Sequence, residues 1–263
     1  MNSVRDFARF KAEGRKISIV TAYDARSARL VAHSHVDAIL VGDSAAMLMH
    51  GHPTTLSATV RLMALHTSAV ARAAAGKLVI ADLPFLSFRR GIAAAMTAVG
   101  ALVTSGAQAV KLEGVDGHEE VVRQIVGSGV PVMGHIGLTP QSINQFGGFR
   151  VQGRSDADAA TLLRQAHALH DLGCFSIVLE CVPAQLAARI TSELDVPTIG
   201  IGAGSCTDGQ VLVLHDLWGV DTSHTPRFVR RYIDGEHVLT DALNRYNADV
   251  KQARFPAPEE SYS

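Results

Sequence analysis

This sequence predicts an α/β fold, a (β/α)8 TIM barrel in a single domain over residues 1–263, with an N-terminal helix and an extended C-terminal tail. Three observations carry the prediction. Strand-like and helix-like segments alternate about eight times along the chain. The length of 263 residues is close to the roughly 250 of such barrels. Six of the strands end in polar residues: Tyr23, Asp43, Asp82, Lys111 with Glu113, His135 and Glu180. An open doubly wound sheet shows the same alternation, but it would string those ends along an edge at about 4.7–4.9 Å per strand. A closed barrel gathers them at one mouth.

The elements follow in order. Ser3 to Asp6 reads as a capping box opening a short helix with Val4, Phe7, Ala8 and Phe10 on its apolar side. Ile17 to Ala22 is a strand, residues 25–35 a helix, and Ala38 to Val41 a strand ending at Gly42-Asp43-Ser44. A long loop to about Leu56 precedes a helix through Ala75. Leu78 to Ala81 is a strand ending at Asp82, and Pro84 stops it. An alanine-rich helix over 91–104 leads to the strand Ala107 to Leu112. Residues 118–127 are helical, and Val130 to Met133 is a strand ending at Gly134-His135. The glycine-rich loop from Ile136 to about Ser155 has the length of a lid or binding loop. Ala157 to Leu172 is a helix, and Phe175 to Leu179 a strand ending at Glu180. Pro183 opens a helix to Leu194. Pro197 to Ile201 is the seventh strand, and Val211 to Leu214 the eighth, ending at His215-Asp216. A helix over 240–251 and a tail over 255–263, extended or mobile, complete the chain.

Composition narrows the function classes. An apolar content of 47% supports a large core, and 24 basic against 25 acidic residues argue against nucleic acid or an anionic membrane as partner. Arg5, Asp6, Arg9 and Lys11 interrupt any leader-like apolar run, and no stretch is long enough to cross a bilayer. Cys174, Cys181 and Cys206 show no paired spacing, which suits free thiols in a reducing cytoplasm.

The strand ends suggest the chemistry. Side chains alternate along a strand, so Lys111 and Glu113 share one face. A buried cation and anion there are costly unless they meet each other, a metal or a ligand, and a structural ion pair is the plain alternative. Asp43, Asp82 and Glu113 offer only carboxylate oxygen, which suits a hard ion such as Mg²⁺. Any one of them could instead cap the next helix, and Asp43-Ser44 is placed to do so. Lys111 beside these acids should stay protonated and clamp a substrate carboxylate, which leaves Glu180 as general base and His135 within reach of the same ligand.

Other features read more plainly. Gly200 to Gly204 is not a dinucleotide fingerprint, because its third glycine is misplaced; it is a phosphate-type loop or room for a bulky ligand. His50 and His52 lie in a loop without a third ligand, and His33 and His35 end a helix. Cys181 is expected to be a small buried hydrophobe facing away from Glu180.

The sequence also carries a family resemblance. Thr21-Ala22-Tyr23-Asp24, Val41-Gly42-Asp43-Ser44, Ala81-Asp82-Leu83-Pro84-Phe85, Lys111-Leu112-Glu113-Gly114, Gly134 to Ser142, Gly147 to Arg154, Leu179 to Pro183 and Gly200 to Gly204 resemble the ketopantoate hydroxymethyltransferase family. The match runs in order from about residue 17 to the tail. It departs at Ala45-Ala46-Met47, at Leu56-Ser57-Ala58-Thr59 and at Glu113-Gly114-Val115, all beside the mouth. The resemblance implies a barrel of the phosphoenolpyruvate mutase and isocitrate lyase superfamily, assembled as a homodecamer. It implies Mg²⁺ at Asp43, Asp82 and Glu113, oxo-acid contacts at Asp43, Ser44, Asp82 and Lys111, and Glu180 as proton acceptor. The expected reaction moves a hydroxymethyl group from 5,10-methylenetetrahydrofolate to 3-methyl-2-oxobutanoate. Two alternatives stand beside it: a Mg²⁺-dependent C–C lyase acting on another 2-oxo acid, and a non-catalytic ligand-binding paralogue.

Overall fold

The computed structural model describes residues 3–220 and 225–262, which group into two compact units, one within 1–212 and one within 213–263. The first unit forms the expected barrel: eight parallel strands, closed, in sequential order. They are β1 Ile17–Thr21, β2 Ala38–Val41, β3 Leu78–Asp82, β4 Ala109–Glu113, β5 Val132–Gly137, β6 Ser176–Glu180, β7 Thr198–Ile201 and β8 Gly209–Leu212. The helices of this unit are α1 Val4–Ala12, α2 Ala25–Ala32, α3 Ala45–Leu48, α4 Val60–Ala71, α5 Ile92–Thr104, α6 Glu119–Gly127, α7 Ile143–Phe146, α8 Asp156–Asp171 and α9 Ala184–Glu193. The second unit contains α10 Leu214–Trp218, α11 Gly235–Lys251 and a 3₁₀ turn at Pro258–Glu260. No helix among the described residues is long and apolar enough to cross a membrane.

Period-two alternation divides the barrel interior into an apolar floor and a polar mouth. Ile19, Leu40, Ile80, Ala109, Met133, Val178, Ile199 and Val211 form one buried cluster, one residue from each strand. Phe7 and Phe10 of α1 join that cluster with no exposed surface, so the N-terminal helix seals the end where the strands begin. The Phe7 ring meets Phe175 edge-on at 5.5 Å. The helix is capped as expected, with the Ser3 N–H donating to Asp6 Oδ2 at 2.7 Å. Two residues beyond the apolar layer, the same inward face presents Asp82, Lys111, His135 and Glu180.

Several boundaries differ from the sequence reading. β5 begins at Val132 and runs through His135 to Gly137, because Pro131 before it lacks an N–H for the ladder. The eighth strand is Gly209–Leu212 rather than Val211 to Leu214, and His215 and Asp216 lie on α10 instead of ending a strand. Glycine is required there: a Cβ on Gly209 would stand 2.5 Å from the Ile17 carbonyl oxygen. The stretch after Ser44 holds α3 and a 3₁₀ turn at Thr55–Ser57, and the loop after β5 holds a 3₁₀ turn at Pro140–Ser142 and α7. The last helix begins at Gly235, where Asp234 caps it, rather than at 240. The tail is not wholly extended, since it contains the turn at Pro258–Glu260; Ser263 lies outside the described residues.

The approach of Gly209 to β1 closes the barrel, and it predicts a stability effect. Gly209→Val should destabilise the protein by about 1–3 kcal/mol, the range for overpacking a filled interior. Thermal or urea unfolding measures it; a wild-type midpoint would show that β1 and β8 can separate without cost.

Candidate active site

The strand registers set the polar mouth. Asp82 pairs with Lys111, Glu113 with His135, and Gly137 with Glu180 across adjacent strands. These pairings bring together the residues singled out from sequence. Lys111 Nζ lies 2.8 Å from Asp82 Oδ1 and 3.4 Å from His135 Nδ1. His135 spans two acids, with Nδ1 3.3 Å from Glu113 Oε1 and Nε2 3.2 Å from Glu180 Oε2. The Asp43 backbone N–H donates to Asp82 Oδ2 at 3.0 Å. Ser44 Oγ is 2.7 Å from the Tyr23 hydroxyl, so β1 and β2 share one rim. The Ser44 side chain does not cap α3, and Asp43 turns instead toward the acids.

Gln141 completes this arrangement and was not among the residues expected from sequence. Its amide Nε2 donates to Asp43 Oδ2 at 2.8 Å and to the Leu83 carbonyl at 3.0 Å, while its N–H donates to Glu113 Oε2 at 2.9 Å. A Pro-Gln-Ser turn in a loop gives no sign of this, because the contact joins residues 98 positions apart.

Burial makes the charges consequential. Asp43, Asp82, Glu113, Lys111 and His135 are each 5% exposed or less, whereas the Glu180 side chain keeps 17%. Burial, then repulsion from Asp82 and Glu113, holds the Asp43 carboxyl well above the usual range. Burial also raises Asp82, against the pull of Lys111. Burial works against the Lys111 ammonium, but Asp82, Glu113 and Asp43 outweigh it and the pKa rises. His135 is pushed up to about 9: burial and Lys111 oppose its charge, and the adjoining carboxylates of Glu113 and Glu180 overcome them. Glu113 is burdened by burial yet lowered overall by His135 and Lys111.

Of these three buried acids, Asp82 faces Lys111 and Glu113 faces His135, and Asp43, the one without a cation of its own, is the carboxyl that burial holds furthest from ionising. The donor set is all oxygen, which fits a hard divalent cation. Among the described residues, no three His, Cys, Asp or Glu side chains are already arranged around a common metal position. The reason is local: Lys111 and the Asp43 N–H hold the two oxygens of Asp82, and His135 and Gln141 hold those of Glu113. The site fits a cation by charge and chemistry, with Asp43 the least satisfied acid.

The plainer expectations divide. His50 Nε2 meets His66 Nε2 at 2.9 Å, and His66 Nδ1 contacts the Tyr23 carbonyl at 2.5 Å, so His50 of the loop is hydrogen-bonded to His66 of α4. Cys181 is half-buried rather than buried, with a positive φ of 49° and a thiol pushed up to about 11 by burial and by Glu180. Its N–H donates to the Ile201 carbonyl and its carbonyl accepts from the Gln152 N–H, which fixes the backbone just after Glu180.

The fold and site define an α/β-barrel protein with a buried acid–lysine–histidine cluster at the carboxyl ends of its strands. In architecture it resembles 2,3-dimethylmalate lyase, a PEP mutase/isocitrate lyase superfamily member (TM-score 0.61, 16% identity, covering 100% of this chain and 92% of that one). It also resembles phosphonopyruvate hydrolase solved with oxalate and Mg²⁺ (TM-score 0.63, 11% identity, 99% and 93% covered). The sequence is 54% identical over 263 residues to 3-methyl-2-oxobutanoate hydroxymethyltransferase of Bdellovibrio bacteriovorus, covering all of both chains. It is 51% identical over 260 residues to the protein of that name from Legionella pneumophila (strain Paris), covering 98% of this chain and 99% of that one. The ketopantoate hydroxymethyltransferase family profile matches residues 1–258, and the chain belongs to that family.

The raised pKa values predict how a cation should bind. Asp43 and His135 hold their protons more tightly in the metal-free folded state than in the unfolded chain. Their contribution to stability is full at low pH and lost as pH rises past the ordinary carboxylate range for Asp43 and through about 9 for His135. Added Mg²⁺ should then raise the thermal midpoint of EDTA-treated protein, and more so as pH increases, because a ligand carboxylate must be deprotonated. Scanning fluorimetry across pH reads this directly; a Mg²⁺ increment that shrinks with rising pH would contradict it.

Proposed function

We propose that this protein transfers a one-carbon unit from 5,10-methylenetetrahydrofolate to C3 of 3-methyl-2-oxobutanoate, giving 2-dehydropantoate in the first step of pantothenate biosynthesis. The observation that carries the mechanism is the separation of roles in the acid cluster. Asp43, Asp82 and Glu113 are sealed and cross-linked, whereas Glu180 alone keeps solvent access at 17% and has one oxygen on His135. A sealed acid set suits a bound cation, and an accessible carboxylate suits proton removal.

Mg²⁺ held by Asp43, Asp82 and Glu113 would supply the Lewis acidity that stabilises charge on the keto oxygen. The chain supplies the rest. Lys111, kept protonated by its acids, attracts the substrate carboxylate, and Ser44 offers a hydroxyl from the end of β2, on the other side of β3. Glu180 takes the C3 proton. Water adds to the donor methylene, whose bonds to N5 and N10 break so that tetrahydrofolate leaves with both water protons. The C3 carbanion forms the new C–C bond to that one-carbon unit, and Glu180 returns its proton to the resulting alkoxide. His135, charged and touching both Glu113 and Glu180, orients Glu180 toward the opening and lies within reach of the same ligand.

The assembly proposed is the homodecamer that the family resemblance implies, with the small residues Ala93 to Ala95 of α5 and Ala71 to Ala75 at the end of α4 and just beyond it on the outer layer. The three free cysteines fit a cytoplasmic setting. No nucleic acid or membrane partner is proposed for a chain with net charge −1.

Two measurements test this reading. With Mg²⁺ and 3-methyl-2-oxobutanoate in D₂O, the wild-type protein should wash deuterium into C3 without donor and form product only when methylenetetrahydrofolate is added. Glu180→Gln should slow exchange by about 10²–10⁴-fold, the usual cost of losing a general base, and keep its metal affinity. Exchange at the wild-type rate would place the base elsewhere, and lost metal would make Glu180 a ligand. For assembly, light scattering at micromolar concentration should give a mass well above a dimer; a monomer would refute the ring.

A further inference from the structure

Beside the acid cluster the first unit holds a second recess that none of those acids lines. Its volume is about 510 Å³, within the roughly 300–1,000 Å³ of small-molecule sites. Two of its wall residues tie it to the chemistry: Gly114 follows Glu113, and Gly137 is the register partner of Glu180. The approach at Gly137 is so close that a Cβ there would lie 2.2 Å from the Glu180 carbonyl oxygen.

Fixed contacts hold this recess open. On one side Arg164 donates twice to Asp116, at 2.9 and 2.8 Å, and Gln165 donates to it at 2.7 Å, which locks the loop after β4 onto α8. On the other side the Gln152 N–H donates to the Cys181 carbonyl at 2.9 Å. Gly153, with φ 79°, packs where a Cβ would stand 2.7 Å from Leu186 and 2.8 Å from Leu162. A preformed recess loses little ordering free energy when a ligand enters.

The lining is chemically specific. Ile136, Phe146 and Leu162 present apolar and aromatic surface, while Gln145 and Gln152 present amides that can both donate and accept. Arg89 adds a guanidinium whose Nη2 donates to the Glu113 carbonyl at 3.1 Å, with its remaining donors available to an anion. Burial lowers the Arg89 pKa while Glu113 and Asp116 oppose that, so the cation is partly desolvated in the wall. A flat heterocycle with a lactam edge and a carboxylate tail matches this combination. We infer that the recess binds the reduced-folate donor, with the ring over Phe146, the lactam edge on the glutamine amides and a tail carboxylate on Arg89. The inference rests on the proposed folate-dependent transfer. A donor seated there lies against Gly137, the strand neighbour of Glu180, the group that deprotonates the accepting carbon.

Isothermal titration of the full chain with tetrahydrofolate and with tetrahydropteroate, which lacks the glutamate, tests it. The wild-type protein should bind tetrahydrofolate about ten- to hundredfold more tightly, the range for a charge-assisted hydrogen bond. Arg89→Met should bind the two alike. Thr161→Trp, which fills the recess from the exposed side of α8, should weaken both by about tenfold or more. Retained affinity of that variant for 3-methyl-2-oxobutanoate shows that it has folded. If both variants bind both folates as the wild type does, the donor sits elsewhere and this assignment is overturned while the transfer reading stands. If the wild-type protein binds no tetrahydrofolate, the folate reading fails and the assignment falls with it.

Discussion

The Lys111–Asp82 ion pair at 2.8 Å is the constraint around which the mouth of the barrel is arranged. Both partners are buried, and ions of that size are expensive to remove from water unless each finds charge and hydrogen bonds. Lys111 repays only part of the excess negative charge, so every other carboxylate must find its own donor. Glu113 finds His135 and the Gln141 N–H; Asp43 finds the Gln141 amide. The result is a cross-linked set in which moving one acid disturbs the others. Such coupling suits a site that must change charge during a reaction without changing shape.

Much of this was legible in the chain because strands enforce a period of two. Once Ile80, Ala109, Met133 and Val178 face inward, Asp82, Lys111, His135 and Glu180 must follow them two residues on. The barrel follows from the same fact, since polar strand ends need a shared mouth. What escaped was held by tertiary contacts or by glycine. β8 was displaced by two residues because its first position, Gly209, has no side chain to register as apolar. Its neighbour Asp208 is polar yet structural, accepting from the Thr198 N–H at 2.9 Å and from Lys11 Nζ at 2.9 Å. Gln141 escaped for a different reason: an amide in a turn is ordinary until the fold brings two acids to it. The recess near Arg89 is of the same kind, assembled from loops after β3, β4 and β5 and from α8.

The barrel also separates stability from chemistry along its axis. The apolar layer and the Phe7–Phe10 plug occupy one end, and the charged set occupies the other. Just after β6, Cys181 in its left-handed conformation is a strained residue that anchors the backbone beside an accessible acid.

The pairing of β1 with β8 carries a consequence for how the chain is made. Ile17 lies in register with Gly209, and Lys11 reaches Asp208 across 197 positions of sequence. Until the ribosome has released those last residues, β1 and the growing final strand both present open edges, and the helix carrying Phe7 and Phe10 has an incomplete floor to cover. Non-local pairings of this sort slow folding and leave strand edges exposed in the interim. The nascent protein thus spends most of its synthesis as an unclosed sheet, its first strand waiting for its last.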